Sequence, residues 1–254
     1  METKSPIREP SLPQPGDSSQ TIMEDRWFDR VMLPFLVTSL LGVLAVMEWL
    51  DLAFKHSPWI WTVLFVASAF FTASRYRSMQ IELRQRHQGI QGERVVGQLL
   101  ENMRSLGCKI YHDISEEKYN IDHVIIGPHG VFSIETKAPS MPSKGRPTVD
   151  FDGETVTVDG YKPDRDPVDQ AKAAAHRVRE ILRQMTGQET RVTPVLLYVN
   201  WFVEPSTRDD SIIVMNQIYF YKTFDRLQDR NSLSATQVDF LAAGLERYLR
   251  QKKK

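Results

Sequence analysis

Two uncharged runs interrupt an otherwise mixed chain, Val31 to Met47 and Pro58 to Ser74. Each is seventeen residues long, and the ten residues between them hold Glu48, Asp51 and Lys55. Both runs are apolar around the whole helical circumference rather than along one stripe, the pattern of a helix surrounded by apolar material. At about 1.5 Å per residue each covers roughly 26 Å, close to a ~30 Å hydrocarbon core once flanking residues are recruited. Trp27, Trp49, Trp59 and Trp61 stand at or beside the ends of the runs, where an indole suits the headgroup level. The pattern predicts a transmembrane helical hairpin with spans at about 31–50 and 57–74, in contact with a lipid bilayer. Arg26 and Arg30 precede it, Lys55 lies in the connection, and Arg75, Arg77, Arg84 and Arg86 follow. That distribution predicts both termini on the cytoplasmic side of an integral membrane protein, which in a bacterial cell would be the inner or plasma membrane. Residues 1–30, with Pro6, Pro10, Pro13 and Pro15 among polar residues, are expected to be a disordered tail.

Beyond the hairpin the pattern changes period. Residues 75–88 are polar and helix-permissive and predict a stalk. Val96, Leu99, Leu100, Met103 and Leu106 then recur at helical spacing, and KIYHDI (109–114) reads as a strand. NIDHVIIG (120–127) and GVFSIETKA (130–138) are β-rich and separated only by Pro128-His129, which predicts a hairpin. TVDFDGETVTVDG repeats the alternation around an Asp152-Gly153 turn. A helix is expected from Pro167 to Met185, a buried strand over 192–200, another strand over 211–221, and a last helix capped by Ser234 with Gln237 in the capping-box position. Apolar strands with interleaved helices predict an α/β domain over 89–254, built on one sheet.

Composition narrows the chemistry. Of 254 residues, 32 are Lys or Arg and 32 are Asp or Glu, which excludes a grossly basic nucleic-acid coat. The one cysteine, Cys108, excludes an intramolecular disulfide and a multi-thiolate zinc site, so any metal must be held by oxygen or histidine.

The 120–138 hairpin holds acids where folding alone gives no reason for them. If Gly127 pairs with Gly130, partners across the hairpin sum to 257, so Asp122 faces Glu135 and Asn120 faces Lys137. Like charges directly opposite each other on a sheet repel, and a divalent cation would remove the conflict. Glu135 and Lys137 are two apart and share a face. Glu93 falls near the buried side of its helix, and Gln170, at the start of a later helix, is placed to orient a water or a phosphate oxygen. A three-residue loop with a bulge at Gly130 would separate the two acids instead.

The run NIDHVIIGPHGVFSIETKA, preceded by GERVVGQLL and followed by DPVDQAKAAAHRV, resembles the nuclease-related domain, NERD, of the PD-(D/E)XK restriction-endonuclease-like superfamily, over roughly residues 89–200. The resemblance implies an α/β, restriction-endonuclease-like mixed sheet flanked by helices. It implies that Glu93 is the helical acid, Asp122 the acid of the second strand, Glu135 and Lys137 the acid-x-Lys pair, and Gln170 the glutamine of the following helix. It further implies Mg²⁺ or Mn²⁺ held by Asp122, Glu135 and the Thr136 carbonyl, with Glu93 reaching the metal through water, and hydrolysis of DNA, or of RNA, with Lys137 acting on the attacking water. Many relatives in the broader superfamily carry a Tyr four residues after the Gln, where this chain has Ala174.

Charge sets limits on this reading. Residues 75–254 hold 27 basic and 24 acidic residues, so nucleic-acid affinity must come from a local patch, with Lys172, Arg177, Arg179 and Arg183 the candidates. His123 and His129 are not expected to be ligands, and Lys252–Lys254 is expected to be a solvated end or a lipid contact. The competing class is a noncatalytic, membrane-tethered nucleic-acid-binding or scaffold module that keeps the nuclease fold.

Overall fold

The structure, a computed structural model, describes residues 31–52, 58–116, 119–142, 145–204, 211–226 and 232–252; the expected N-terminal tail lies outside them. The chain divides into one compact unit within Ser19–His87 and another within Gln88–Lys254.

In the first unit, α1 (Leu33–Trp49) and the opening part of α2 (Pro58–Glu101) occupy the two uncharged runs. Their hydroxyls face each other: Thr38 Oγ1 lies 2.7 Å from Ser68 Oγ and 2.8 Å from Thr72 Oγ1, and Trp49 Nε1 donates to Thr62 Oγ1 at 3.0 Å. Leu36, Leu40, Val43, Val63, Val66 and Phe70 point outward and are exposed. The expectation of two full spans is corrected, because among the described residues no helix is long and apolar enough to cross a membrane. The reasons are local. The helix α1 has 17 residues, about 25 Å; α2 opens with Pro58, Trp59, Trp61 and Thr62 and reaches Arg75 after one apolar run. Residues 75–88 are helical as part of α2, which continues without a break to Glu101.

The second unit is a mixed sheet flanked by helices. It contains β1 (Lys109–Ser115), β2 (Asn120–Gly127), β3 (Gly130–Lys137), β4 (Thr148–Phe151), β5 (Val156–Val158), α3 (Pro167–Thr186), β6 (Val192–Tyr198), β7 (Phe202–Val203), β8 (Ile213–Asn216), α4 (Gln217–Thr223) and α5 (Ala235–Lys252). The main sheet has the order β1-β2-β3-β6-β8, antiparallel across β1-β2-β3 and parallel from β3 through β6 to β8. A smaller sheet, β5-β4-β7, contains the Asp152 turn, whose carboxylate accepts the N–H groups of Glu154 and Thr155.

One face of the main sheet packs Val124, Ile126 and Val131 against Ala174, Val178, Ile181 and Leu182 of α3 and Leu241 and Leu245 of α5. The other packs Ile125, Phe132, Ile134 and Val195 against Val96 and Leu100 of α2, Met103, Phe220 and Phe224. Both helix starts follow their sequence signals. The Asp166 carboxylate accepts Val168 N–H ahead of Pro167, and Ser234 and Gln237 bond reciprocally.

Two expectations fail here for identifiable reasons. The strand predicted over 211–221 ends at Asn216, because Asn216 Oδ1 accepts Ile218 N–H at 2.8 Å and starts α4. Leu106 is exposed because the chain tightens from α-helix into a 3-10 turn at Asn102–Leu106. Lys252, exposed at the end of α5, donates to the Glu116 carboxylate at 2.8 Å, and Lys253 and Lys254 lie outside the described residues.

Candidate active site

The β2–β3 turn is the two-residue one, and the ladder keeps the expected register from Gly127 opposite Gly130 to His123 opposite Ile134. It stops one step before Asp122 would face Glu135. There Asp122 Oδ2 accepts the main-chain N–H of Thr136 at 2.7 Å, filling the place of a strand carbonyl. One position further along β3, Lys137 O accepts Val199 N–H beyond the end of β6. Successive residues of a strand direct their main-chain groups to opposite neighbours, so the N–H and the carbonyl of Thr136 both face the β2 side, beside Asp122.

Lys137 Nζ joins two elements. It donates to Glu135 Oε1 at 2.7 Å and to Gln170 Oε1, in the first turn of α3, at 2.8 Å. Gln170 is held there by the Asp166 cap and Pro167, which fix where α3 begins. Glu93 arrives from the other side, on α2, where Gly92 lets the helix approach the end of β3; a Cβ at Gly92 would overlap the Ala138 methyl.

The acids feel one another. Burial first, then the charges of Asp113 and Glu135, push the Glu93 carboxyl up to about 7. Burial, then Glu135 and Glu93, hold Asp122 well above the usual carboxylate range, opposed by the Thr136 N–H and Lys137. The structure therefore brings Glu93, Asp122, Glu135, Lys137 and Gln170 to one place. Among the described residues no three Asp, Glu, His or Cys side chains are gathered closely enough to hold a metal ion. By chemistry, the Asp122 and Glu135 carboxylates and the Thr136 carbonyl are hard oxygen donors of the kind a divalent cation takes, and such an ion would relieve the repulsion between the two acids.

Residues 88–199 match the nuclease-related domain, NERD. No curated protein and no solved structure matches the chain. The NERD segment begins on α2 just before Gly92 and Glu93, ends one residue past β6, and contains all five residues of the cluster.

Sequence reasoning missed Asp113, which lies on β1 with φ +47 and acts on Glu93. Its one signal was an acid interrupting the apolar strand KIYHDI. His123 is fully buried beside Asp122. His112 Nε2 lies 2.8 Å from Glu101 Oε1, and His112 Nδ1 lies 2.8 Å from His123 Nδ1. With His112 neutral and donating to Glu101, His123 donates through Nδ1 and its buried Nε2 keeps a bare lone pair without a partner. Arg177 is removed from the expected basic face, because Glu116 accepts its Nε–H at 2.8 Å and it also donates to Tyr248 Oη at 3.1 Å. Lys172, Arg179 and Arg183 remain exposed on α3.

Proposed function

We propose that the NERD domain is a metal-dependent nuclease that hydrolyses phosphodiester bonds of nucleic acid, with DNA as the first substrate to test. The observation that carries this reading is Lys137 Nζ, held between Glu135 and Gln170 one residue from the Thr136 N–H that Asp122 accepts. Asp122, Glu135 and the Thr136 carbonyl would hold Mg²⁺ or Mn²⁺. Such an ion, when bound, supplies a Lewis acid for the phosphate and lowers the pKa of a water. Lys137 is an ammonium fixed by two acceptors, with a third N–H left to direct at the attacking water or a phosphate oxygen. Gln170 sets the direction of that ammonium, since its amide oxygen sits on a helix anchored by its own cap. Glu93, whose carboxyl burial and the charges of Asp113 and Glu135 push up to about 7 in the metal-free domain, would reach the ion through a water.

The full-length chain in mild detergent, with Glu135→Ala and Lys137→Ala as controls, is tested on linear, circular and single-stranded DNA and on RNA in Mg²⁺, Mn²⁺ or EDTA. Cleavage that needs metal and disappears in both variants supports the reading. No cleavage and no Mn²⁺ binding by a folded chain favours the scaffold alternative.

We infer a second property from the first unit, attachment to a lipid bilayer. Its hydroxyls bond inward while its leucines, valines and phenylalanines face outward, the reverse of the arrangement water favours. Immersion of the hairpin does not require either helix to cross, and a hairpin returns both termini to the side from which it entered. The arginines before and after the hairpin in the sequence support a cytoplasmic side for both termini. Flotation with liposomes tests attachment, and protease access to both ends in sealed vesicles tests sidedness.

A further inference from the structure

The β1–β2 ladder has a gap. His112 faces His123 and Ile114 faces Ile121, and between them Asp113 and Asp122 lie opposite each other without joining the ladder. Both strands change face at this point. Ile110 and Tyr111 belong to cores on opposite sides of the sheet, as do Ile125 and Val124. In an unbroken strand Ile114 would rejoin Ile110 and Ile121 would rejoin Ile125, because side chains alternate with period two. Ile114 and Ile121 instead pack with Tyr111 and Val124. Asp113 has φ +47, in the left-handed region, where Asp, Asn and Gly are tolerated and other side chains are rare. The β2–β3 ladder also stops at this level, at His123, and the next residue, Asp122, reaches the Thr136 N–H through its side chain.

We propose that Asp113 is a positioning residue of the candidate active site: its left-handed backbone turns β1 and β2 over together and so places the Asp122 carboxylate on the Thr136 N–H beside Glu135. The catalytic consequence rests on the nuclease reading; the structural one does not. Without the reversal, Asp122 would continue the alternation that Val124 begins and would point toward the core under α3 and α5 rather than along the sheet toward β3. A left-handed residue in one strand is sufficient, because Ile114 and Ile121 stay paired and the partner strand follows.

The proposal requires the backbone conformation of residue 113 and not its charge. The test compares Asp113→Asn, Asp113→Gly, Asp113→Ala and Asp113→Val in the full-length chain. The first readout is hydrogen exchange at the Thr136 amide, followed by NMR without metal; the others are Mn²⁺ affinity and DNA cleavage. Asn and Gly should keep Thr136 exchange within about threefold of wild type and keep Mn²⁺ affinity. Ala and Val should raise Thr136 exchange tenfold or more and lose Mn²⁺ affinity, while amides of β6 such as Leu196 stay protected and so report an intact fold. Two results overturn the proposal: Ala or Val exchanging like wild type, or Asn and Gly failing together with Ala and Val. If wild type neither binds Mn²⁺ nor cuts DNA, the nuclease reading falls, and the exchange pattern across the four variants still decides the role of Asp113.

Discussion

Asp122 meets Thr136 through a carboxylate oxygen 2.7 Å from a main-chain nitrogen, so one side chain both closes the end of a β-ladder and belongs to the acidic cluster. The two roles separate on substitution. Asp122→Asn keeps an oxygen to accept the Thr136 N–H and removes a charge that Glu135 and Glu93 repel. It should be at least as stable as wild type in EDTA while losing metal binding and cleavage. Asp122→Ala leaves a buried N–H unpaired, at a cost of about 1–3 kcal/mol. Urea denaturation of the three proteins checks the order, and an Asn variant markedly less stable than Ala would contradict it.

Lys137 and Gln170 should differ in degree. Lys137→Met removes the ammonium and is expected to lower kcat by roughly 10²–10⁴ with Mn²⁺ affinity kept, the range typical of a group that serves proton transfer. Gln170→Ala removes one of two acceptors that orient it and should cost on the order of tenfold. Equal losses in both variants, or loss of Mn²⁺ affinity in Lys137→Met, would count against these roles.

Gly92 separates helix propensity from packing. Alanine is favoured over glycine inside a helix by about 1 kcal/mol, so an open position would gain stability on substitution. Here the added methyl meets the Ala138 methyl, which cannot rotate away, and overpacking of this kind costs about 1–3 kcal/mol. Gly92→Ala should therefore be neutral to destabilising and should weaken cleavage by moving Glu93. A clear rise in Tm with full activity would refute the close approach.

Much of this arrangement is legible in the chain. Gly127, Pro128-His129 and Gly130 fix a two-residue turn, and the turn fixes the register by which Asp122 and Glu135 approach each other. Asp166-Pro167 fixes the start of α3 and so the place of Gln170. What stayed hidden has no periodic signature. A left-handed Asp113 inside a strand looks like any polar residue on a pleat, and Asn216 looked like a strand residue until its side chain capped α4. The close approach at Gly92 depends on what lies opposite the glycine, which no local pattern records. The reach of the two apolar helices is hidden for a related reason, since it turns on where each helix ends and on the polar residues within it.

Glu93 gives the unliganded domain a pH dependence of definite sign. Below its ordinary value of 4.5 the carboxyl is protonated in folded and unfolded chains alike. Between 4.5 and about 7 the unfolded chain ionises and the folded one does not, so stability falls as pH rises and the loss is complete above 7, amounting to about 3 kcal/mol at most. Glu93→Gln should gain on wild type between pH 5 and pH 8 in EDTA. The same difference at both pH values in urea midpoints would sink this assignment.

His123 acts in the opposite direction. Burial, and then His112, hold it well below its ordinary value of 6.5, because a proton on Nε2 would sit buried without an acceptor. Above about 6.5 both states are neutral and the residue contributes no pH dependence. As pH falls below that value the unfolded chain binds a proton that the folded chain refuses, so stability drops. His123→Leu should remove this acid-side loss, at the expense of a bond to His112 worth about 0.5–1.5 kcal/mol. The variant should then be less stable than wild type at pH 7.5 and should close the gap by pH 5. A gap that stays constant over that range would mean that folded and unfolded chains take up the His123 proton alike, and the assignment of a buried neutral imidazole would fall.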